Sequence, residues 1–240
     1  MLRFGYAIAL VMLIAACAPP MRVTAPEPAP TLATGSAPEG FPIKRYQEAA
    51  AQGKPVYRVD PEQSLVSILV RRGGSLAHLG HDHVVASRGV QGYIAPDERT
   101  ADLFVPLAEL SVDEPALRAE SRLDTQPTES DIAGTRSNML DKVLETQRFP
   151  YAFIHISSRE KTPTGLRLDV AITLHGVSRS FDVPAQMETV EGAMSVAGTL
   201  ELKQSDFGIV PFSILGGAMQ VQDRLSLRFR ILARPVGDRS

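Results

Sequence analysis

The sequence predicts a mainly β fold, an antiparallel β-barrel of about eight strands with one helix closing an end. Two observations carry this expectation. Apolar side chains recur at every second position through much of the chain, as where Leu166, Leu168, Val170, Ile172 and Leu174 alternate with Arg167, Asp169, Ala171 and Thr173. A period of two sets one face of a strand in a core and the other in water. The connections, in turn, are too rarely helical in pattern for repeated βαβ units, and His175-Gly176-Val177 reads as a tight hairpin. One-faced strands in this number leave exposed edges unless the sheet closes on itself. A β-sandwich satisfies the same alternation, and periodicity does not separate the two.

In chain order, Arg3 precedes an apolar run from Phe4 to Ala16, and Ile14-Ala15-Ala16-Cys17 follows a lipobox pattern. The run is shorter than the ~20 apolar residues of a spanning helix, and its basic start and small-residue end fit a cleaved leader. Residues 1–16 are therefore expected to be a lipoprotein signal peptide, and Cys17 the acylated membrane anchor. Ala18 rather than Asp follows the cysteine, which sets the expectation of an exported lipoprotein on the outer membrane, facing the periplasm. Two or three acyl chains hold a protein stably at a bilayer, where one does not. Because Cys17 is the only cysteine, an intrachain disulfide, a CxxC motif and a thiolate metal cage are excluded.

Residues 17–54 read as a linker. Seven prolines lie between Ala18 and Pro42, with too little apolar bulk around them to bury. The spacing of Tyr46, Ala49 and Ala50 predicts a short helix over 44–52 at its end. Residues 55–235 form one domain long enough for a sizeable core, and 236–240 a tail. Strands are expected over 56–59, 65–70, 90–94, 103–107, 151–156, 166–174, 181–183, 196–202 and 225–231. The helix is expected over 130–145, with Ser130 or Asp131 as N-cap and Met139, Leu140, Val143 and Leu144 as its apolar stripe.

Six short signatures in order over most of the domain then resemble a known family. Tyr57-Arg58-Val59-Asp60-Pro61 with Ser64 is similar to the opening strand of YceI-like domains, and 89–94 to their second strand. The segment 138–144 followed by Arg148-Phe149-Pro150-Tyr151-Ala152-Phe153 resembles their helix and the strand after it. Leu174-His175-Gly176-Val177-Ser178-Arg179, Ser205-Asp206-Phe207-Gly208-Ile209 and Asp223-Arg224-Leu225 complete the set. The resemblance implies a lipocalin-like barrel whose apolar interior holds a polyisoprenoid-like lipid. Residue types alone support a weaker statement, that a closed sheet lined by aliphatic and aromatic groups can enclose an apolar ligand. On the inward faces the candidate ligand-binding residues are Leu103, Val105, Leu107, Phe153, Leu168, Val170, Ile172, Phe181 and Phe229. For strand 151–156 the sequence leaves open whether Tyr151, Phe153 and His155 or Ala152, Ile154 and Ile156 face inward.

His78-Leu79-Gly80-His81-Asp82-His83 invites a second reading. Imidazole is a common ligand of Zn, Cu and Ni, and on an extended segment His81 and His83 share a face, with Gly80 allowing a turn that brings in His78. A metalloprotein with a His78/His81/His83 site at the barrel mouth is therefore the alternative expectation, against histidines that only orient the loop. His175 and His155 are read as structural, His155 as packed on its strand. No Gly-x-Ser-x-Gly elbow or free thiol supports nucleophilic catalysis, and the pairs Asp113 with Glu114 and Glu129 with Asp131 read as solvated charges. The expectation is a binder, not an enzyme. At a formal charge of −2 and with no basic run longer than Arg71-Arg72, nothing points to nucleic acid. The sequence specifies no protein partner.

Overall fold

A computed structural model describes residues 37–162 and 165–236. The leader, Cys17, the linker up to residue 36 and the tail from 237 lie outside the described residues. The strands are β1 Tyr57–Val59, β2 Leu65–Val70, β3 Arg72–Gly73, β4 His83–Ser87, β5 Gln91–Ala95, β6 Thr100–Pro106 and β7 Ser111–Val112, then β8 Tyr151–Thr162, β9 Gly165–Leu174, β10 Val177–Val190, β11 Ala193–Lys203, β12 Ser213–Ile214, β13 Met219–Val221 and β14 Arg224–Pro235. The α-helices are α1 Ile43–Ala51, α2 Pro115–Glu120 and α3 Glu129–Asn138.

Closure separates the barrel from the sandwich. The order β1-β5-β6-β8-β9-β10-β11-β14 returns to β1, because the far end of β14 pairs with β1 through Tyr57 opposite Pro235. Eight antiparallel strands make the ring. Nearer its start, the same edge of β14 pairs with β2, so β1 and β2 act as one interrupted strand along it. β4 and β7 continue the sheet past β2. A separate small sheet, β12-β13-β3, is fed by the ends of β2 and β14 and covers that end of the barrel, called here the lid end.

Alternation decides which side chains fill the ring. Val59, Val85, Val90, Leu103, Val105 and Ile231 belong to one buried cluster, and Leu168, Val170, Ile172, Val183 and Leu202 to another. Each such aliphatic side chain contributes about 1.5–3 kcal/mol when withdrawn from water. The β9–β10 hairpin forms where the sequence places it, with His175 at φ 52 and Gly176 at φ 75, the two left-handed residues that match the strand twist. The Gly176 position is also tight, since a Cβ there would stand 3.1 Å from the Phe149 ring.

The N-terminal helix docks on the outside. Tyr46 is buried against Tyr93, their rings 5.4 Å apart, and its hydroxyl donates to Asp102 Oδ2 at 2.6 Å. Burial, and then the hydrogen bond to the Asp102 carboxylate, push the Tyr46 phenol far above its ordinary pKa. The other Asp102 oxygen lies 2.7 Å from His155 Nδ1. His155 therefore stands half exposed on the outer wall, where the sequence had it packed.

The helix expected over 130–145 differs from expectation in two respects. Its N-cap is Thr128, not Ser130 or Asp131: the Thr128 Oγ1 accepts from the Asp131 amide at 3.2 Å while the Asp131 carboxylate accepts from the Thr128 amide at 2.9 Å. The regular helix stops at Asn138 and passes into a π turn, Met139–Val143, closed by Leu144 N donating to Met139 O at 2.9 Å. The wider π turn points Met139, Val143 and Leu144 at the barrel interior together. The short helix α2 and the strand β4 have no counterpart in the sequence expectation, because six residues of α2 are too few for a helical stripe and the histidines of 78–83 mask the start of β4.

A lidded apolar cavity as candidate functional site

The inward faces of the eight strands do not meet. They leave a cavity of about 1100 Å³ running along the barrel, beyond the ~300–1,000 Å³ usual for small-molecule sites. Most of its wall is hydrocarbon. Leu103 and Val105 from β6, Leu168, Val170 and Ile172 from β9, and Phe229 from β14 all stand on it. Leu107 does too, from a 3-10 turn after β6 rather than from a strand.

Phe153 and Phe181 are not on the wall. On β8 the smaller Ala152, Ile154 and Ile156 face inward, which turns Phe153 out beside Tyr151, at 6.0 Å between rings, and opposite Phe104. Both faces of that strand are apolar, so alternation alone could not choose. Phe181 stacks at 6.3 Å on the fully buried ring of Phe207, in the turn after β11, and leaves the interior there to Val170 and Val183. Wall residues the sequence reading missed come from β2 (Val66, Ile68, Val70), from the π turn and from the lid (Phe212, Met219). β2 was legible as a strand, but Leu65 and Leu69 make its other face apolar as well, so its parity was not; the two- and three-residue lid strands carry no periodic signal.

The histidine segment is divided among three environments. His78 is exposed on a 3-10 turn, while His81 and His83 line the lid end with ring centroids 6.2 Å apart, edge to face. The expected metal site at His78, His81 and His83 is not formed, and no group of three or more His, Cys, Asp or Glu side chains among the described residues is placed to hold an ion. His78 stands apart on its exposed turn, and His83 begins a strand with Nδ1 2.6 Å from Asp113 Oδ2, so the three imidazoles are not brought together. Zn, Cu or Ni has no seat there.

Instead, these residues belong to an ionic network. Asp113 is fully buried and accepts from His83, from the Val84 amide at 3.0 Å and from Arg118 Nη1 at 2.6 Å. Burial alone would raise its carboxyl, but those hydrogen bonds hold it below the ordinary carboxylate range. Asp82 is also buried and also held low, against its desolvation, by the Arg72 amide at 2.8 Å and Arg71 Nη1 at 2.6 Å. Arg72 in turn reaches Gly80 O and Asp124, and Arg118 donates to Asp82 O and Thr125 O. Asp113 is thus an internal structural charge, not the solvated loop charge that its pairing with Glu114 suggested.

A closed antiparallel barrel with an apolar interior and a covered end is the architecture of lipocalin-like binding proteins. Residues 57–233 match the YceI-like domain, and the chain belongs to that family. Among solved structures it is similar to a polyisoprenoid binding domain from Saccharophagus degradans implicated in plant cell wall breakdown, with 13% identity, 75% of this chain and 98% of that chain covered, and a TM-score of 0.54. It is also similar to Burkholderia cenocepacia BcnA, with 14% identity, 72% and 98% covered, and a TM-score of 0.51. At these identities the likeness is one of fold. No curated protein sequence matches the chain.

Proposed function

We propose that this protein is a non-enzymatic binder and carrier of an isoprenoid-like apolar lipid, exported and anchored through acylated Cys17 at the periplasmic face of the outer membrane. The observation that carries the reading is the cavity, about 1100 Å³ in volume and lined by hydrocarbon on nearly every side. Such a site works by removing ligand surface from water at about 25 cal/mol per Å², with little demand for directed hydrogen bonds. The similarity to a domain described as polyisoprenoid binding supports the choice of an isoprenoid over another hydrocarbon. The lipobox at 14–17 supports the anchor.

Native mass spectrometry of the purified full chain tests the reading. A long-chain apolar lipid is expected to remain bound. Val170→Phe, which adds bulk to the wall, is expected to shift the retained lipid toward shorter chains, while Ile172→Asp places an uncompensated carboxylate in hydrocarbon and is expected to impair folding as well. Lipid-free protein from every preparation would overturn the proposal. The anchor is tested separately: Cys17→Ser is expected to leave an unprocessed, unacylated precursor, and recovery of the wild type as a lipid-free soluble species would refute it.

A further inference from the structure

The lid shows water more apolar surface than its own packing explains. Among the described residues, Leu79, Val210, Ile214 and Leu215 are 60, 80, 45 and 67% exposed, and all four sit on the two segments that close the lid end. The segments are neighbours, joined by the β13–β3 pairing and by Leu76 N donating to Ala218 O at 2.8 Å. Leu215 is the most unusual of the four. It holds φ 53 at the tip between β12 and β13, ahead of Gly216 and Gly217, in a backbone region that bulky side chains rarely adopt. A large apolar side chain is thus kept in an unfavourable conformation and in water, with neither cost relieved inside the protein.

Two further observations say what covers it. Ile214 is exposed and also lines the cavity, so apolar surface runs without a break from the barrel interior to the tip. Beside this path Lys142 holds its ammonium 5.9 Å from the Phe212 ring centroid, with no carboxylate partner among the described residues. An aliphatic tip with an unpaired cation behind it matches the layering of a phospholipid surface, acyl chain and then phosphate.

We propose that the lid segment 209–219 docks on a phospholipid bilayer, with Val210, Ile214 and Leu215 among the acyl chains and Lys142 at the phosphates, so that a hydrocarbon ligand moves between bilayer and cavity without crossing water. This rests on the apolar-lipid reading of the cavity. The opposite end of the barrel serves as the internal comparison, since the β10–β11 tip there also exposes Val190 and the cavity-lining Met187, but beside Glu188 and Glu191, whose charge a phosphate surface repels.

The chain contains no tryptophan, so one introduced indole is its only one. Full-length Leu215→Trp, Val210→Trp and Val190→Trp would each be mixed with phosphatidylethanolamine and phosphatidylglycerol vesicles whose acyl chains carry bromine, a contact quencher. Several-fold quenching is expected for the two lid variants and none for Val190→Trp, a contrast that an anchor shared by all three cannot produce. Lys142→Glu in the Leu215→Trp background is expected to weaken quenching several-fold. In the same samples, N-phenyl-1-naphthylamine added from solution reports whether the cavity takes an apolar guest. If the guest binds and the lid indoles keep their emission, the bilayer docking is overturned while the carrier reading stands, and the lid must face water or a protein. If the lid indoles are quenched and no guest binds, the carrier reading fails and the membrane contact survives. Equal quenching of Val190→Trp also overturns the proposal.

Discussion

The two segments that close the lid end are held by opposite means. Residues 71–82 are fixed by buried carboxylates, with Asp82 gripping the Arg72 amide and the Arg71 guanidinium while Arg118 ties that segment to Asp113 and to the chain after α2. Residues 209–221 are attached by short backbone pairings, two residues each to β3 and within the β12–β13 hairpin, plus Leu76 N donating to Ala218 O at 2.8 Å and Val221 N to Phe212 O at 2.9 Å. Buried ions demand every partner and resist displacement, whereas aliphatic contacts and a few edge hydrogen bonds give way at low cost. One side of the lid is a jamb held by buried ions, and the other a flap held by fewer and weaker ties.

The largest effect should come from breaking the jamb. Asp113→Ala leaves Arg118 and His83 without their buried partner and is expected to lower stability by about 3–5 kcal/mol in chemical denaturation. Asp82→Asn keeps an acceptor for the Arg72 amide but discards the charge facing Arg71, and should cost less, about 1–3 kcal/mol. Acid sharpens the contrast without mutation. Both carboxyls lie below the ordinary range in the folded protein, so their stabilisation is complete above the unfolded carboxylate pKa of about 3.9 and is lost as pH falls through the lower folded values. Melting temperature should hold down to roughly pH 4 and then drop, and Asp113→Ala should drop less steeply from its lower start. The smallest effect belongs to the flap: Val210→Ser, at an exposed site, should stay within about 0.5 kcal/mol of wild type in the same assay.

Much of the barrel was legible because most of its wall is written in single strands. The alternation in 166–174 and 225–231 names inward residues that do line the cavity, and His175-Gly176 sets a hairpin whose register follows directly. Where both faces of a strand are apolar the code loses its parity, which is how Phe153 came to be assigned inward. The long β10 was legible only over 181–183, since most of its second half alternates nothing against the core. Histidine clustering misled for a related reason: three imidazoles close in sequence lie on a turn, a loop and a strand start, with different partners for each.

The sequence by itself determined the leader pattern, the proline-rich stretch, the antiparallel class and most of the hydrocarbon wall, because each depends on composition or on neighbours a few residues apart. Tertiary structure alone decided that the ring closes through β1 on β14, that Tyr46, Asp102 and His155 meet on the outer wall, and that Asp82 and Asp113 are internal charges. It also decided that a wide interior remains open behind a lid built from segments about 140 residues apart in the chain. Those features depend on distances between groups far separated along the chain, and such distances come into being only when the sheet has closed.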